Sequence, residues 1–275
     1  MRTLCLYTLL IILTPLAANA NGPDRVMAFK MGEELHYRVY YHAWMTGKVT
    51  AGYATMQIKD KPVKVAGKST YHIKGEGKSR RAFNWFFKVH DRFETWLDPV
   101  EQIPLKYLRR TREGNYSKDE DYYFDHPKGI VKSTRKVTEI PPNTQDIMSA
   151  IYQARNLDLS KAKSGDVFPV NFVFDDEVYT SKILFLGREN VKVGLGTFSC
   201  LKFKPMVLTG SVFEEEYPMT LYVTDDKNRI PIMAESQILV GSVKVELIGY
   251  RNLAHPLSSN LVSGKAPVTS ISFND

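Results

Sequence analysis

Glu34-Leu35-His36-Tyr37-Arg38-Val39-Tyr40-Tyr41-His42-Ala43 decides the fold class of this chain. Its odd positions are apolar or aromatic and its even positions are mostly charged or polar. Successive side chains of an extended strand point to opposite faces, so this period-two alternation predicts a strand with one buried face. Thr46-Gly47 supplies a turn, after which Ala54, Met56 and Ile58 fall on one face of a second strand.

The same alternation marks residues 70–75, 89–97, 105–110 and 116–124, with turn clusters at Glu113-Gly114-Asn115 and Asp125-His126-Pro127-Lys128-Gly129. It resumes over 167–174, 178–186, 196–207, 220–223, 230–239 and 243–250, punctuated by Asp225-Asp226-Lys227-Asn228 and Val240-Gly241. Roughly a dozen strands or slightly more, joined by short turns, predict a mostly β protein. The expected architecture is a single large curved antiparallel sheet (a β-spiral, half-barrel or barrel).

One helix interrupts the strands. Pro141-Pro142 stop the preceding segment, Asn143-Thr144 offer a cap, and Asp146 favours the first turn. Ile147, Ala150, Ile151 and Ala154 recur at helical spacing, and Arg155 suits the negative pole. Such an amphipathic helix covers or plugs the concave side of the sheet. Asp146, Ser149, Tyr152 and Arg155 lie at three-residue steps. They fasten the helix to the sheet through hydrogen bonds or, if the helix is a movable lid, form its latch.

The first twenty residues read as a signal peptide. Arg2 starts it, Leu9-Leu10-Ile11-Ile12-Leu13 form its apolar centre, and Ala18-Asn19-Ala20 offers the cleavage pattern. The apolar run is shorter than the roughly 20 residues of a spanning helix, so the mature chain is expected to carry no transmembrane anchor. Asn21 stands where a lipoprotein needs cysteine. The expectation is an exported, soluble, periplasmic protein that is not a lipoprotein. It has one β-rich domain over 21–253 and a Ser-, Pro- and Asn-rich tail over 254–275, expected to be loosely ordered. Two β halves flanking the helix are the weaker division.

With the signal peptide removed only Cys200 remains, in a strand-like stretch, where a buried and inert thiol is expected. The whole chain carries a formal charge of +7. That mild excess suits weak attraction to anionic lipid headgroups or polysaccharide; no basic block is long enough to grip nucleic acid.

Motifs for catalysis are missing. Ala66-Gly67-Lys68-Ser69-Thr70 resembles the end of a phosphate loop, but Pro62 occupies the position of the required first glycine. His36 and His42 share a strand face about 20 Å apart, too far for one metal. The acidic runs at 119–121, 175–177 and 214–216 lack the spacing of a calcium loop. There is no HExxH or G-x-S-x-G pattern, so no catalytic residue, metal or cofactor is assigned. Paired carboxylates drawn from distant strands leave no sequence signature.

The stretch richest in binding potential is Arg80-Arg81-Ala82-Phe83-Asn84-Trp85-Phe86-Phe87-Lys88, at an expected hairpin connection. Its aromatics either plug a large core or form an apolar rim at a cavity mouth, with Arg80, Arg81 and Lys88 touching an anionic headgroup. Trp44 and Trp96 either line the same cavity or fill it. The candidate ligand residues are therefore Trp44, Arg80, Arg81, Phe83, Trp85, Phe86, Phe87 and Trp96.

Several stretches in order resemble the DUF3108 family of exported bacterial proteins. They are Gly32-Glu33-Glu34-Leu35-x-Tyr37, Gly52-Tyr53-Ala54, Asp91-Arg92-Phe93 before Leu97-Asp98, the helix from Asp146 to Arg155, Gly196-Thr197-Phe198-Ser199-Cys200, and Asp225-Asp226-x-x-Arg229-Ile230-Pro231. The pattern is loosely similar to periplasmic β-spiral envelope-integrity proteins and to the half-barrels with a helical lid that carry lipoproteins. By fold analogy, the resemblance implies a non-enzymatic envelope protein that binds a lipid, an acyl chain or a lipoprotein. Two other readings stay open, a protein-interaction scaffold and an enzyme acting on cell-wall glycan or glycolipid.

Overall fold

A computed structural model describes residues 26–43, 47–206, 217–237 and 241–261; the expected signal peptide, Trp44 and the end of the tail lie outside them. The strands are β1 (Glu34–Ala43), β2 (Gly47–Ile58), β3 (Val63–Val65), β4 (Lys68–Ser79), β5 (His90–Leu97), β6 (Pro104–Glu113), β7 (Tyr116–Asp125), β8 (Ile130–Lys132) and β9 (Val137–Glu139). After helix α1 (Ile147–Ala154) come β10 (Val167–Phe174), β11 (Glu177–Val193), β12 (Gly196–Pro205), β13 (Met219–Thr224), β14 (Pro231–Gln237), β15 (Ser242–Arg251) and β16 (Ser259–Leu261). They form one antiparallel sheet in the order β10-β11-β12-β13-β14-β15-β1-β2-β4-β5-β6-β7-β8-β9, with β3 on β4 and β16 on β12. The alternation read in residues 34–43 therefore marks the strand that joins the two halves of the chain. β1 pairs with β15 on one side and β2 on the other.

The central strand is bent. Its register shifts between His36 and Tyr37 against β15, and between Val39 and Tyr40 against β2. A further shift at Phe185/Gly187 interrupts the long β11. Each such irregularity adds twist and curls the sheet. The ladder stays open between its edge strands β9 and β10. Side chains close the seam. The Asp175-Asp176 turn receives Arg109 (2.8 Å to Asp175), Lys118 and Arg135, its Asp176 N–H donates to the Tyr122 hydroxyl (2.9 Å), and Thr138 donates to its carbonyl (3.1 Å). Gln145 adds a single parallel bridge to Phe172 of β10.

The helix begins two residues beyond the cap expected at Asn143-Thr144. Thr144 donates to the Pro141 carbonyl and Gln145 is tied to β10, so Asp146 is the first residue free to cap. Its Oδ1 accepts from the N–H of Met148 and Ser149, and the Ser149 hydroxyl accepts from the Asp146 N–H. That is a reciprocal capping box.

Residues 254–261, expected to be loose, are docked in place. His255 exchanges hydrogen bonds with Asn228 and contacts the Met27 carbonyl, Ser258 N–H donates to Asp226, and β16 pairs with Gly196–Phe198. Polar composition signals poor burial, but here backbone partners offered by a turn and a strand end take its place. Cys200 is fully buried, and burial pushes its thiol up to about 12, so it stays protonated and inert.

Candidate functional site

Helix α1 stands inside the curled sheet as a partition. One face carries Met148, Ser149, Tyr152 and Arg155, all buried, with Met148 and Tyr152 packed in the core of Phe29, Ile73, Leu97, Tyr107 and Tyr122. Asp146 accepts from the Thr95 hydroxyl (2.6 Å), and Tyr152 meets Phe29 edge-on at 4.9 Å. Arg155 makes a bidentate pair with Glu33 (2.6 and 2.8 Å) and donates to the carbonyls of Ala28 (3.1 Å) and Asn228 (3.0 Å). Of the four residues read from the sequence as fasteners or latch, Asp146 bonds to β5, Tyr152 and Arg155 contact residues 28–33 and the turn at Asn228, and Ser149 closes the capping box with Asp146.

The opposite face, Ile147, Ala150, Ile151 and Ala154, borders open space. A cavity of about 480 Å³ lies between it and the inner faces of β10–β15, walled by side chains such as Phe168, Phe172, Ile183, Phe203, Leu221, Met233 and Val245. Ala54 and Met56 of β2 and Tyr37 of β1 complete it. The apolar stripe of the helix was legible in the sequence, and its partner is a void rather than a sheet. The volume falls within the roughly 300–1,000 Å³ of small-molecule sites.

Polar groups in this wall are few. Tyr37 donates its hydroxyl to the Pro231 carbonyl (3.0 Å), Ser181 donates to the Met206 carbonyl (2.8 Å), and Arg155 is held by Glu33. The fourth is Arg229. None of the described lining residues is a carboxylate.

The aromatic stretch is placed elsewhere. Residues 80–88 form the turn between β4 and β5, with Trp85 86% exposed and Phe86 and Phe87 also exposed, and with Phe83 half-buried against Tyr41 at 6.0 Å. Arg80 N–H donates to the Ala51 carbonyl, and Arg81 is exposed. None of these described residues lines the cavity. Tyr41 lies four residues along β1 from cavity-lining Tyr37, a separation of about 13 Å. Trp96 also departs from the expected cavity. Its neighbours Thr95 and Leu97 point into the core, so alternation turns Trp96 to the other face of the sheet, where His72, stacked at 4.3 Å, and Lys106 leave it 8% exposed.

The cavity-lining residues that sequence reasoning missed are the inner faces of β10–β15 and Arg229. The strands were recognised, but alternation gives the same signal whether a face meets side chains or empty space. Arg229 stood in a quoted motif, where it served only to mark the fold.

No helix among the described residues is long and apolar enough to cross a membrane. A mostly β protein with one open, curled antiparallel sheet and an internal helix bordering an apolar cavity belongs among the β-barrel-like folds. A crystal structure of a β-barrel-like protein of the domain of unknown function DUF1849 from Brucella abortus shares this fold. Its TM-score is 0.54 at 9% identity, covering 81% of this chain and 98% of that one. A Bacteroides fragilis protein with a YmcC-like fold aligns at a TM-score of 0.36 and 10% identity, over 82% and 99% of the two chains. No curated protein matches the chain. The family model described as protein of unknown function (DUF3108) matches residues 36–248, and the chain belongs to that family.

Proposed function

We propose that this chain is an exported, periplasmic protein of the bacterial cell envelope that holds a hydrophobic or amphiphilic ligand, a lipid, acyl chain or lipoprotein, without catalysing a reaction on it. The observation that carries the reading is the cavity beneath α1, whose wall is almost entirely carbon. Protein interiors otherwise pack as tightly as organic crystals, so an apolar space of this size points to an occupant. Export rests on the pattern of residues 1–20.

Native mass spectrometry of mature protein purified gently from a periplasmic fraction, with parallel extraction into organic solvent, tests this. The expected result is a discrete added mass that extracts with the solvent. Ala150→Trp, which fills the cavity from the helix side, is expected to remove that mass while the β-sheet circular dichroism is kept. A bare mass for the wild type, persisting after incubation with fatty acids and with phospholipid vesicles, overturns the reading. It would favour the alternative of a protein-interaction scaffold, for which the exposed Trp85, Phe86 and Phe87 with Arg81 offer the docking surface.

A further inference from the structure

We propose that Arg229 anchors the headgroup of a fatty carboxylate whose single chain lies in the cavity. The proposal rests on the ligand reading above and goes further, naming the ligand class and the residue that selects it. Of the four polar side chains in the wall, Tyr37, Ser181 and Arg155 are each engaged within the fold. Arg229 is different. Its Nη1 is buried without a hydrogen-bond partner among the described residues. The nearby carboxylates make their hydrogen bonds elsewhere: Asp225 pairs with Arg188 (3.0 Å), Asp158 accepts from the Ser160 N–H (3.0 Å), and Asp226 accepts from Thr224, from the N–H groups of Asn228 and Arg229, and from Ser258. A buried donor left unpaired is costly, and a ligand anion arriving along an apolar wall supplies the missing acceptor.

The backbone fixes where this guanidinium starts. Arg229 has φ 48°, a left-handed conformation that costs a non-glycine residue about 1 kcal/mol. The turn around it is over-determined. Asp226 gathers its N–H groups, the Asn228 side chain clamps the carbonyls of His255 and Pro256, and Arg155 donates to the Asn228 carbonyl. Strain held in place this way marks a side chain whose position is set before the ligand arrives. Burial lowers the pKa of Arg229 from its usual value, with Asp225 and Asp158 opposing, so the cation lacks part of the solvation an anion would restore. A guanidinium fork matches one carboxylate through two parallel hydrogen bonds, and the carbon walls beyond accommodate the chain.

The test compares hexadecanoate with hexadecanol, equal in chain length and differing in charge, by displacement of the neutral probe N-phenyl-1-naphthylamine from the mature protein. Wild type is expected to bind the carboxylate at least about tenfold more tightly than the alcohol. Arg229→Gln is expected to bring the two to parity through loss of the carboxylate alone, with Arg229→Lys keeping part of the preference. Thermal melting of each variant, with an unchanged affinity for hexadecanol, shows that the cavity is intact. Equal preference in wild type and Arg229→Gln overturns the anchor while leaving the cavity reading standing. Displacement by neither molecule in wild type overturns both.

Discussion

The two faces of helix α1 look onto opposite kinds of interior. On one, Phe29, Tyr122 and Tyr152 are at most 1% exposed, and large rings fill the space between β4–β7 and the helix. On the other, Ala54, Ala150, Ala154 and Ala234 contribute short side chains to the wall, and the space between β10–β15 and the helix stays open. Both regions come from the same sheet and the same alternating pattern. The difference lies in side-chain volume where elements face each other. It separates the part of the molecule that holds the helix still from the part free to receive something else.

The largest effect is expected at Arg155 and Glu33, on the filled side. Both side chains are 2% exposed or less, and removing one strands the other as a buried charge. Arg155→Ala is expected to cost about 3–5 kcal/mol in urea denaturation, whereas a paired Arg155→Met and Glu33→Met exchange is expected to recover most of that loss. If Arg155→Ala instead leaves stability unchanged and only speeds release of a cavity probe, the four fasteners are the latch of a moving lid.

Much of this division was beyond the reach of the sequence, for a physical reason. Residues 34–43 announced a strand because alternation depends only on which side water lies. The helix and its apolar stripe were legible from Ile147, Ala150, Ile151 and Ala154 in the same way. Volume matching across the interior depends on residues far apart in the chain, such as Ala54, Ala150 and Ala234, and no local pattern reports it. The aromatic cluster at 83–87 drew attention as a cavity rim because it is dense. Its position on a β4–β5 turn, where Tyr41 of β1 meets Phe83 and Phe86 but Trp85 and Phe87 stay exposed, left its rings outside the cavity. Arg229 carried no local signal, since an Nη1 left without a hydrogen-bond partner among the described residues is decided only by folding.

A second, smaller effect sharpens the comparison through pH. Asp146 is fully buried at the helix start, and burial raises its pKa to about 6 against the pull of hydrogen bonds from Thr95, Ser149 and Met148. The folded value lies above the ordinary 3.8, so between these two pH values the native state binds a proton that the unfolded chain has released. The stabilisation is therefore complete below the unfolded value and is lost as pH rises through about 6, on the order of 2–3 kcal/mol in all. Asparagine caps a helix about as well and does not ionise. Asp146→Asn is expected to reduce the decline in urea midpoint expected of the wild type between about pH 4 and about pH 7. Parallel declines in the two proteins would assign the proton to another group.

The smallest effect sets the two interiors directly against each other with one chemical change. Tyr152, on the filled side, has a buried hydroxyl with no hydrogen-bond partner among the described residues, while its ring packs on Phe29. Tyr37, in the cavity wall, donates its hydroxyl to the Pro231 carbonyl at 3.0 Å. Tyr152→Phe removes an unsatisfied group and keeps the ring, so it is expected to be neutral or to stabilise by up to about 1 kcal/mol. Tyr37→Phe strips a carbonyl of its donor and is expected to destabilise by about 1 kcal/mol. Thermal unfolding of the two variants should therefore move in opposite directions. Shifts of the same sign would mean that the Tyr152 hydroxyl has found a partner in solution, and that the filled side is less dry than its packing indicates.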